Sequence, residues 1–496
     1  MTPADLRRLL APRSIALFGG AWADGVAQAS RVIGFSGELW RVHPQRVSTA
    51  ECRYFRSVEE LPSAPDASFL AAPSREIPAI AAALALRGAG GFVCFASGFT
   101  ELGTETGTRL TEELVHGAGE LPFFGPNCYG FINFFDRVAL WPDQVVGTRP
   151  ERGVALICQS GTIALDLLFS RRSLPIGYLF SLGNQTRLAA EDLIELLAQD
   201  SRVSAFGLYV EGLKNAPRFA AAVERARAAG KPVALIKAGR TEAAARAAHS
   251  HTGSLSGSDA AFDAFCRQAG VARCESLATL CETLKVFHVG GPLSGRRTLI
   301  LGASGGDMAM TSDCARHLGL SFPPVSADIH ARLTGILGDR VHISNPFDFH
   351  THIWHDRAAM RELFGVVQRA GYDSVGFTLD SPPAAEADPK AYNDAIEEFI
   401  AAAQGAPSRS ALISSLPECQ EAPIREQCLN NGVIPLQGQR EALEALDLAG
   451  AVGETWASRP AIELRIPRRR GSTAARTQRF SPITMPSAMP GTAPST

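Results

Sequence analysis

The sequence contains no Cys-x-x-Cys pair, no stretch approaching 18 uninterrupted apolar residues and almost no net charge. Its ten cysteines occur singly, most of them inside apolar runs such as 92–97 and 155–160. Zinc sites and disulfide frameworks need paired spacings, so these residues read as reduced core thiols. The first 14 residues hold no apolar signal core, and no span is long enough to cross a bilayer, so a cytoplasmic protein is expected. A net charge of −2 is too small for nucleic-acid or membrane steering, which leaves small molecules and proteins as partners. That charge is uneven: from Ala457 to Thr496 seven Arg face one Glu, a surplus of six positive charges that leaves −8 on the remainder. Hydrophobic residues at 46% and charged residues at 20% exclude a fibrous or wholly disordered chain. Its 496 residues allow about three domains, each able to bury a core.

Three blocks open alike, at Ser14–Gly20, Gly153–Gly161 and Arg297–Gly306: a short aliphatic run, a turn of small residues, then a helical pattern. That is the first unit of a doubly wound α/β domain. Further strands read at 39–44, 67–73, 91–97 and 122–127 in the first block, at 176–184, 203–212 and 231–240 in the second, and at 343–349, 374–382 and 410–417 in the third. Helices of ten to fifteen residues between strands imply right-handed crossovers and mostly parallel sheets. The second and third blocks read as a degenerate duplication, each with a third strand ending in an acid, Glu211 and Asp380. Boundaries are placed near 147 and 290, with Val289–Gly295 as a linker. The last segment, 456–496, is rich in Pro, Ser, Thr and Arg and reads as a disordered basic tail.

The turn Gln159, Ser160, Gly161, Thr162 leads straight from a strand into a helix, so free N–H groups and the positive end of a helix dipole form an anion site. The turn at Ser304, Gly305, Gly306 repeats it, and a pseudo-twofold pair of helix ends aimed at one phosphate is the sharper expectation. The first block lacks Gly-x-Gly-x-x-Gly, and its second strand ends in His43, Pro44, Gln45, Arg46 rather than in the acid that holds a nicotinamide ribose. A dehydrogenase is therefore disfavoured. His251 lies in a loop of small residues, 248–257, where a neutral imidazole held by an acceptor is a good nucleophile toward phosphorus.

Ser-His-Thr-Gly-x-Leu-x-Gly at 250–257, Tyr-x-Glu-Gly at 209–212, Ser-Leu-Gly-Asn at 181–184, Gln-Ser-Gly at 159–161 and Gly-Pro-Asn-Cys-x-Gly at 125–130 resemble the NDP-forming acyl-CoA synthetases. These are acid–CoA ligases related to the succinyl-CoA synthetase α subunit, and the resemblance covers about 10–455. It implies a Rossmann-like CoA-binding domain at 1–147, a succinyl-CoA-synthetase-like domain at 148–290 and a second flavodoxin-like ligase domain at 291–455. It further implies that acid, CoA and a nucleoside triphosphate give acyl-CoA, NDP and phosphate through an acyl phosphate and a phosphohistidine. Carried over, His251 is the phosphorylated nucleophile and Glu211 orients its ring. Amides at Gln159–Thr162 and Ser304–Gly306 cradle the phosphoryl group. CoA lies near Gly19, Gly20, Pro44, Pro73 and Gly98, with Asn127 and Cys128 close to the thioester. No protein-bound metal is implied within this portion.

The family's Asn-Pro-Lys is His43-Pro44-Gln45 here, so a Lys contact to CoA phosphate is missing and Arg46 is its replacement. Apolar surroundings at Tyr129 and Trp141 would tolerate a larger or aromatic acid, but the sequence does not identify the acid. The nucleotide and Mg²⁺ belong to an ATP-grasp unit, and none is read after residue 455; an ATP-grasp partner subunit in an oligomer is expected, or a fused unit lost with the reading frame. The alternative is a catalytically incomplete CoA- or acyl-CoA-binding protein. Translation of the DNA downstream in the other two frames should yield ATP-grasp-like sequence; its absence sinks the lost-frame explanation.

Overall fold

A computed structural model of the chain describes residues 3–49, 52–241 and 259–458. The loop carrying His251 and the chain beyond Ser458 lie outside the described residues. The first sheet is built from β1 (Ser14–Gly19), β2 (Glu38–Val42), β3 (Tyr54–Phe55), β4 (Ala67–Ala71), β5 (Phe92–Cys94) and β6 (Phe123–Phe124). All neighbours run parallel in the order β3-β2-β1-β4-β5-β6. This is the 3-2-1-4-5-6 order of dinucleotide-binding folds. Strands such as β1 and β4 are buried nearly throughout, which is why they read as continuous apolar runs without alternation.

The second sheet comprises β7 (Gly130–Asn133), β8 (Val138–Leu140), β9 (Gly153–Cys158), β10 (Ile176–Ser181), β11 (Val203–Val210), β12 (Val233–Lys237) and β13 (Ala272–Arg273). The third comprises β14 (Thr298–Gly302), β15 (Phe347–Asp348), β16 (Ser374–Thr378), β17 (Arg409–Ser414) and β18 (Ile434–Gln437). Their orders are β13-β12-β11-β9-β10-β7-β8 and β15-β14-β16-β17-β18. Counted along the chain, the parallel strands of both read 2-1-3-4-5, the flavodoxin-like order, so the duplicated pattern in the sequence corresponds to one topology used twice.

One boundary moves. Strands β7 and β8 precede residue 147 yet form an antiparallel pair on the edge of the second sheet, with Phe131 opposite Phe180. The chain therefore crosses from the first sheet to the second between Phe124 and Gly130. The last helix, Gln439–Ser458, also extends three residues into the segment read as tail.

The second and third sheets share a core. Helix Leu277–Gly290, capped by Ser276 Oγ accepting from Thr279 N, packs against helix Gln439–Ser458, and one apolar cluster runs from Leu156 through Leu284 to Leu446 and Ile413. Within that core Glu282 and Lys285 are fully buried. The Glu282 carboxylate accepts from Arg172 Nη1 (2.7 Å), Lys285 Nζ (2.7 Å) and the Gln437 amide (2.9 Å). Burial pushes the Lys285 ammonium down and Glu282 pulls it back up. Removing the carboxylate strands a buried cation, so Glu282→Ala should cost about 3–5 kcal/mol of stability, read as a lower unfolding midpoint; an unchanged midpoint would show the network to be dispensable.

Candidate functional site

In open α/β sheets ligands bind outside the carboxyl ends of the strands where the order reverses. In the first sheet that point lies between β1 and β4. Gly19 has φ +122°, and a Cβ there would sit 2.6 Å from the Ala71 carbonyl oxygen, so only glycine lets the two strand ends close. The resulting cavity, about 510 Å³, is lined by Gly19, Gly20, His43, Pro44 and Pro73, among others. Beside Gly20 stands Arg46, whose Nη1 donates to Asp24 (3.0 Å) and to Tyr54 Oη (3.0 Å); these two groups hold its pKa above the usual value. Arg41 reaches the same Asp24 at 2.9 Å. Two guanidinium groups thus share one carboxylate beside the turn, and the cavity itself is lined by Arg56, Glu59 and Glu76. Gln45, where the family has Lys, donates its amide to His43 Nδ1 (3.2 Å).

In the second sheet the reversal lies between β9 and β11, and it brings Gln159–Thr162 and Glu211 together. Ser160 caps helix Gly161–Leu168, its Oγ accepting from Ile163 N at 3.3 Å. The Gln159 amide donates to the Tyr209 carbonyl (3.0 Å) and its side chain is clamped on the next strand, Oε1 accepting from the Glu211 and Gly212 amides while Nε2 donates to the Gly212 carbonyl. The cradle read over Gln159–Thr162 thus narrows to the amides of Ser160, Gly161 and Thr162, and Gln159 fixes where Glu211 stands. Glu211 Oε2 is buried with no hydrogen-bond partner among the described residues. A cavity of about 600 Å³ is lined by this turn, Glu211, Asn127, Cys128, Tyr129 and Asn184. It shares Ala71, Ala72 and Pro73 with the first cavity, so the two are adjoining.

The segment between the sheets holds this junction. Asn127 N donates to Ala96 O (3.0 Å), Tyr129 N to Ser181 Oγ (3.2 Å) and Asn184 N to Pro126 O (3.0 Å). A Cβ on Gly183, which has φ +54°, would lie 2.3 Å from Asn127 O, so the Leu-Gly-Asn turn presses directly on the Pro-Asn-Cys segment. The Gly98 amide (2.6 Å) and the Phe99 amide (3.1 Å) donate to Glu101 Oε1, while Glu101 Oε2 accepts from Asn184 Nδ2. Gly98 therefore ties the first domain's loop to the second domain; it lines neither cavity, although its neighbour Ser97 does.

Ser304, Gly305 and Gly306 repeat the cap, with Ser304 Oγ accepting from Asp307 N at 3.3 Å, but they do not line the cavity of the first turn. Their surroundings are acidic: a Cβ on Gly305 would be 3.2 Å from Asp348 Oδ2, and nearby Asp380 is raised by burial and by Asp307. Among the described residues no group of three or more His, Cys, Asp or Glu is placed to hold a metal ion. Sequence reading passed over Trp22 and Phe95, which line the cavity from separate elements and carry no motif.

A family model described as "Succinyl-CoA ligase like flavodoxin domain" matches residues 151–287. "Trans-feruloyl-CoA synthase FCS1", from an unknown prokaryotic organism, is 32% identical over 69% of this chain and 50% of its own length. "Acetate--CoA ligase [ADP-forming] II" of Archaeoglobus fulgidus is 29% identical over 75% of this chain and 57% of its own length. The "Acetate--CoA ligase [ADP-forming] II subunit alpha" of Pyrococcus furiosus is 29% identical over 63% of this chain and 68% of its own length. The chain is similar to proteins named as ADP-forming acid–CoA ligases. It matches between half and about three-fifths of the length of the first two relatives. The fold agrees with the apo "dinucleotide forming Acetyl-coenzyme A synthetase 1" of Ca. Korarchaeum cryptofilum, with a TM-score of 0.78, 21% identity, and coverage of 91% of this chain and 98% of that one. Among the described residues no helix is long and apolar enough to cross a membrane.

For a ligase relative, a cysteine beside the cavity invites a chemical role, but Cys128 is poorly made for one. It is 3% exposed, its Sγ donates to the Cys94 carbonyl at 3.5 Å, and burial pushes its thiol far above the ordinary range. Cys158, at the end of β9, is pushed up to about 12 by burial. The thiolate is the reactive form, so alkylation of native protein at pH 8 should modify the less buried Cys52 and Cys314 and spare Cys128 and Cys158 until denaturant is added. Stoichiometric native modification of Cys128 would contradict this.

Proposed function

We propose that this chain is the CoA-binding and phosphohistidine-bearing portion of an NDP-forming acid–CoA ligase, interconverting acyl-CoA and phosphate with acyl phosphate and CoA. The observation that carries this reading is the pair of adjoining cavities, one at the Gly19–Gly20 turn and one at the Ser160–Thr162 turn, with the Glu211 carboxylate in the second. CoA lies along both, its phosphates beside Gly19, Gly20, Pro44 and Arg46, and its thiol directed past Pro73 toward Asn127.

In the first step a phosphate oxygen bonds to the thioester carbonyl carbon, the C–S bond breaks, and CoA leaves as thiolate. The Ser160, Gly161 and Thr162 amides hold the phosphoryl oxygens, and the helix dipole favours their negative charge. In the second step a ring nitrogen of His251 bonds to phosphorus, the P–O bond to the acyl oxygen breaks, and the carboxylate departs. Glu211 Oε2 accepts the N–H of the other ring nitrogen and so sets both tautomer and ring direction; its lack of a partner among the described residues supports this role. Phosphoryl exchange between His251 and the nucleotide, with Mg²⁺, falls to an ATP-grasp partner, a reading supported by the relatives named as α subunits in Pyrococcus furiosus. An assembly of the two follows from that division of labour.

Purified chain incubated with radiolabelled phosphate and an acyl-CoA should gain an acid-labile, base-stable label. His251→Ala should abolish it while keeping CoA affinity, and Glu211→Gln should lower it by about 10²-fold or more. An unlabelled wild type beside a labelled control ligase overturns the reading and favours a CoA-binding protein without ligase chemistry.

A further inference from the structure

We propose, resting on the function above, that the acid handled at this site is a planar aromatic monocarboxylic acid, bound along a wall formed by Tyr129, Phe95 and Trp22. The wall begins at the phosphoryl turn itself: a Cβ on Gly161 would lie 2.3 Å from Tyr129 Cδ2, so the phenol ring rests on the first residue of the anion-binding helix. From Tyr129 the ring centroids step 5.9 Å to Phe95, edge to face, and 4.9 Å from Phe95 to Trp22. Behind Tyr129 the fully buried Trp141, at 5.3 Å, holds that ring in place.

Three observations select the ligand. Trp22 is 50% exposed although it sits in a cavity wall, and a large apolar side chain left open there is the informative kind of exposure. Among the described residues no Lys or Arg lines the cavity and the one charged lining residue is Glu211, so these residues offer no cation to a second carboxylate on the acid. The remaining apolar lining described is Ala71, Ala72, Pro73, Ala96 and Cys128, none of them large, which leaves room in about 600 Å³ for a flat ring beside the pantetheine end of CoA. An acid whose carboxylate carbon sits at Ser160–Thr162 lays its body over Tyr129 and Phe95 and reaches Trp22. A two-carbon acid touches none of the outer rings, and a linear aliphatic acid lacks the ring-to-ring contribution, worth about tenfold in affinity at most.

The test compares phosphate labelling of His251 driven by trans-cinnamoyl-CoA, acetyl-CoA and succinyl-CoA, and binding of free trans-cinnamate and hexanoate to the unlabelled protein by calorimetry. Cinnamoyl-CoA should label with at least tenfold higher kcat/KM than the other two, and cinnamate should bind more tightly than hexanoate. Trp22→Ala and Phe95→Ala should each reduce cinnamoyl-CoA labelling at least tenfold more than acetyl-CoA labelling, with Trp22→Phe restoring most of the difference. Labelling by acetyl-CoA or succinyl-CoA equal to that by cinnamoyl-CoA overturns the aromatic assignment and leaves the ligase function standing. A Trp22→Ala variant that raises the KM for every acyl-CoA equally also overturns it, because the indole then serves CoA rather than the acid. Labelling by none of the three removes the function on which the proposal rests, and the proposal with it.

Discussion

The contact on which the site depends is the close approach of two turns, Leu182–Asn184 from the second sheet and Pro126–Cys128 from the crossing between sheets. With a glycine at 183 the backbones meet through the Asn184 amide and the Pro126 carbonyl at 3.0 Å. That approach sets the carboxyl edge of the first sheet beside the carboxyl edge of the second. Each sheet alone offers only the crevice that any doubly wound fold offers at its reversal point. Side by side, the two crevices adjoin through Ala71, Ala72 and Pro73. Strands β7 and β8 contribute to the same end, since their pairing with β10 carries the crossing segment onto the second sheet.

Charge differs between the two cavities. Beside the first, Arg41 and Arg46 share Asp24, and Arg56, Glu59 and Glu76 line the cavity itself. In the second, among the described residues, the positive element is a helix terminus rather than a side chain, so an anion placed there would meet directional N–H groups and no side-chain cation. Glu211 can then stay committed to a neutral donor. Gln159 reinforces this by joining the ends of β9 and β11 through its amide and side chain, so the anion turn and the carboxylate move as one piece.

Much of the architecture was legible in the sequence because buried parallel strands leave continuous apolar runs and glycine-rich turns at their ends. The hairpin at 130–140 was not, since its strands are short and belong to a sheet whose first parallel strand comes later. Its signal was local: Asn133 and Asp136 close the turn between the two strands, Asn133 Oδ1 accepting from Asp136 N at 3.1 Å. Helix 277–290 was hard to read for the opposite reason. Glu282 and Lys285 look like a solvent-facing pair, and only the fold shows them enclosed between two domains. Ser160 and Glu211 could be found from motifs, whereas Trp22 and Phe95 could not, because their meaning arises from where separate elements end.

The shared core of the second and third domains also limits how a gene of this kind can be divided. Between the first two domains the join is the backbone crossing at 124–130 together with an apolar cluster that runs from Leu17 and Phe69 through Phe124 to Phe131 and Phe180. Between the second and third it is a hydrophobic seam, closed by helices 277–290 and 439–458 and pinned by Arg172, Glu282 and Lys285. A break near residue 290 would hand each product half of a core, so rearrangements that shuffle, split or fuse such chains should keep the second and third domains together, with the hairpin at 130–140 that completes the second sheet.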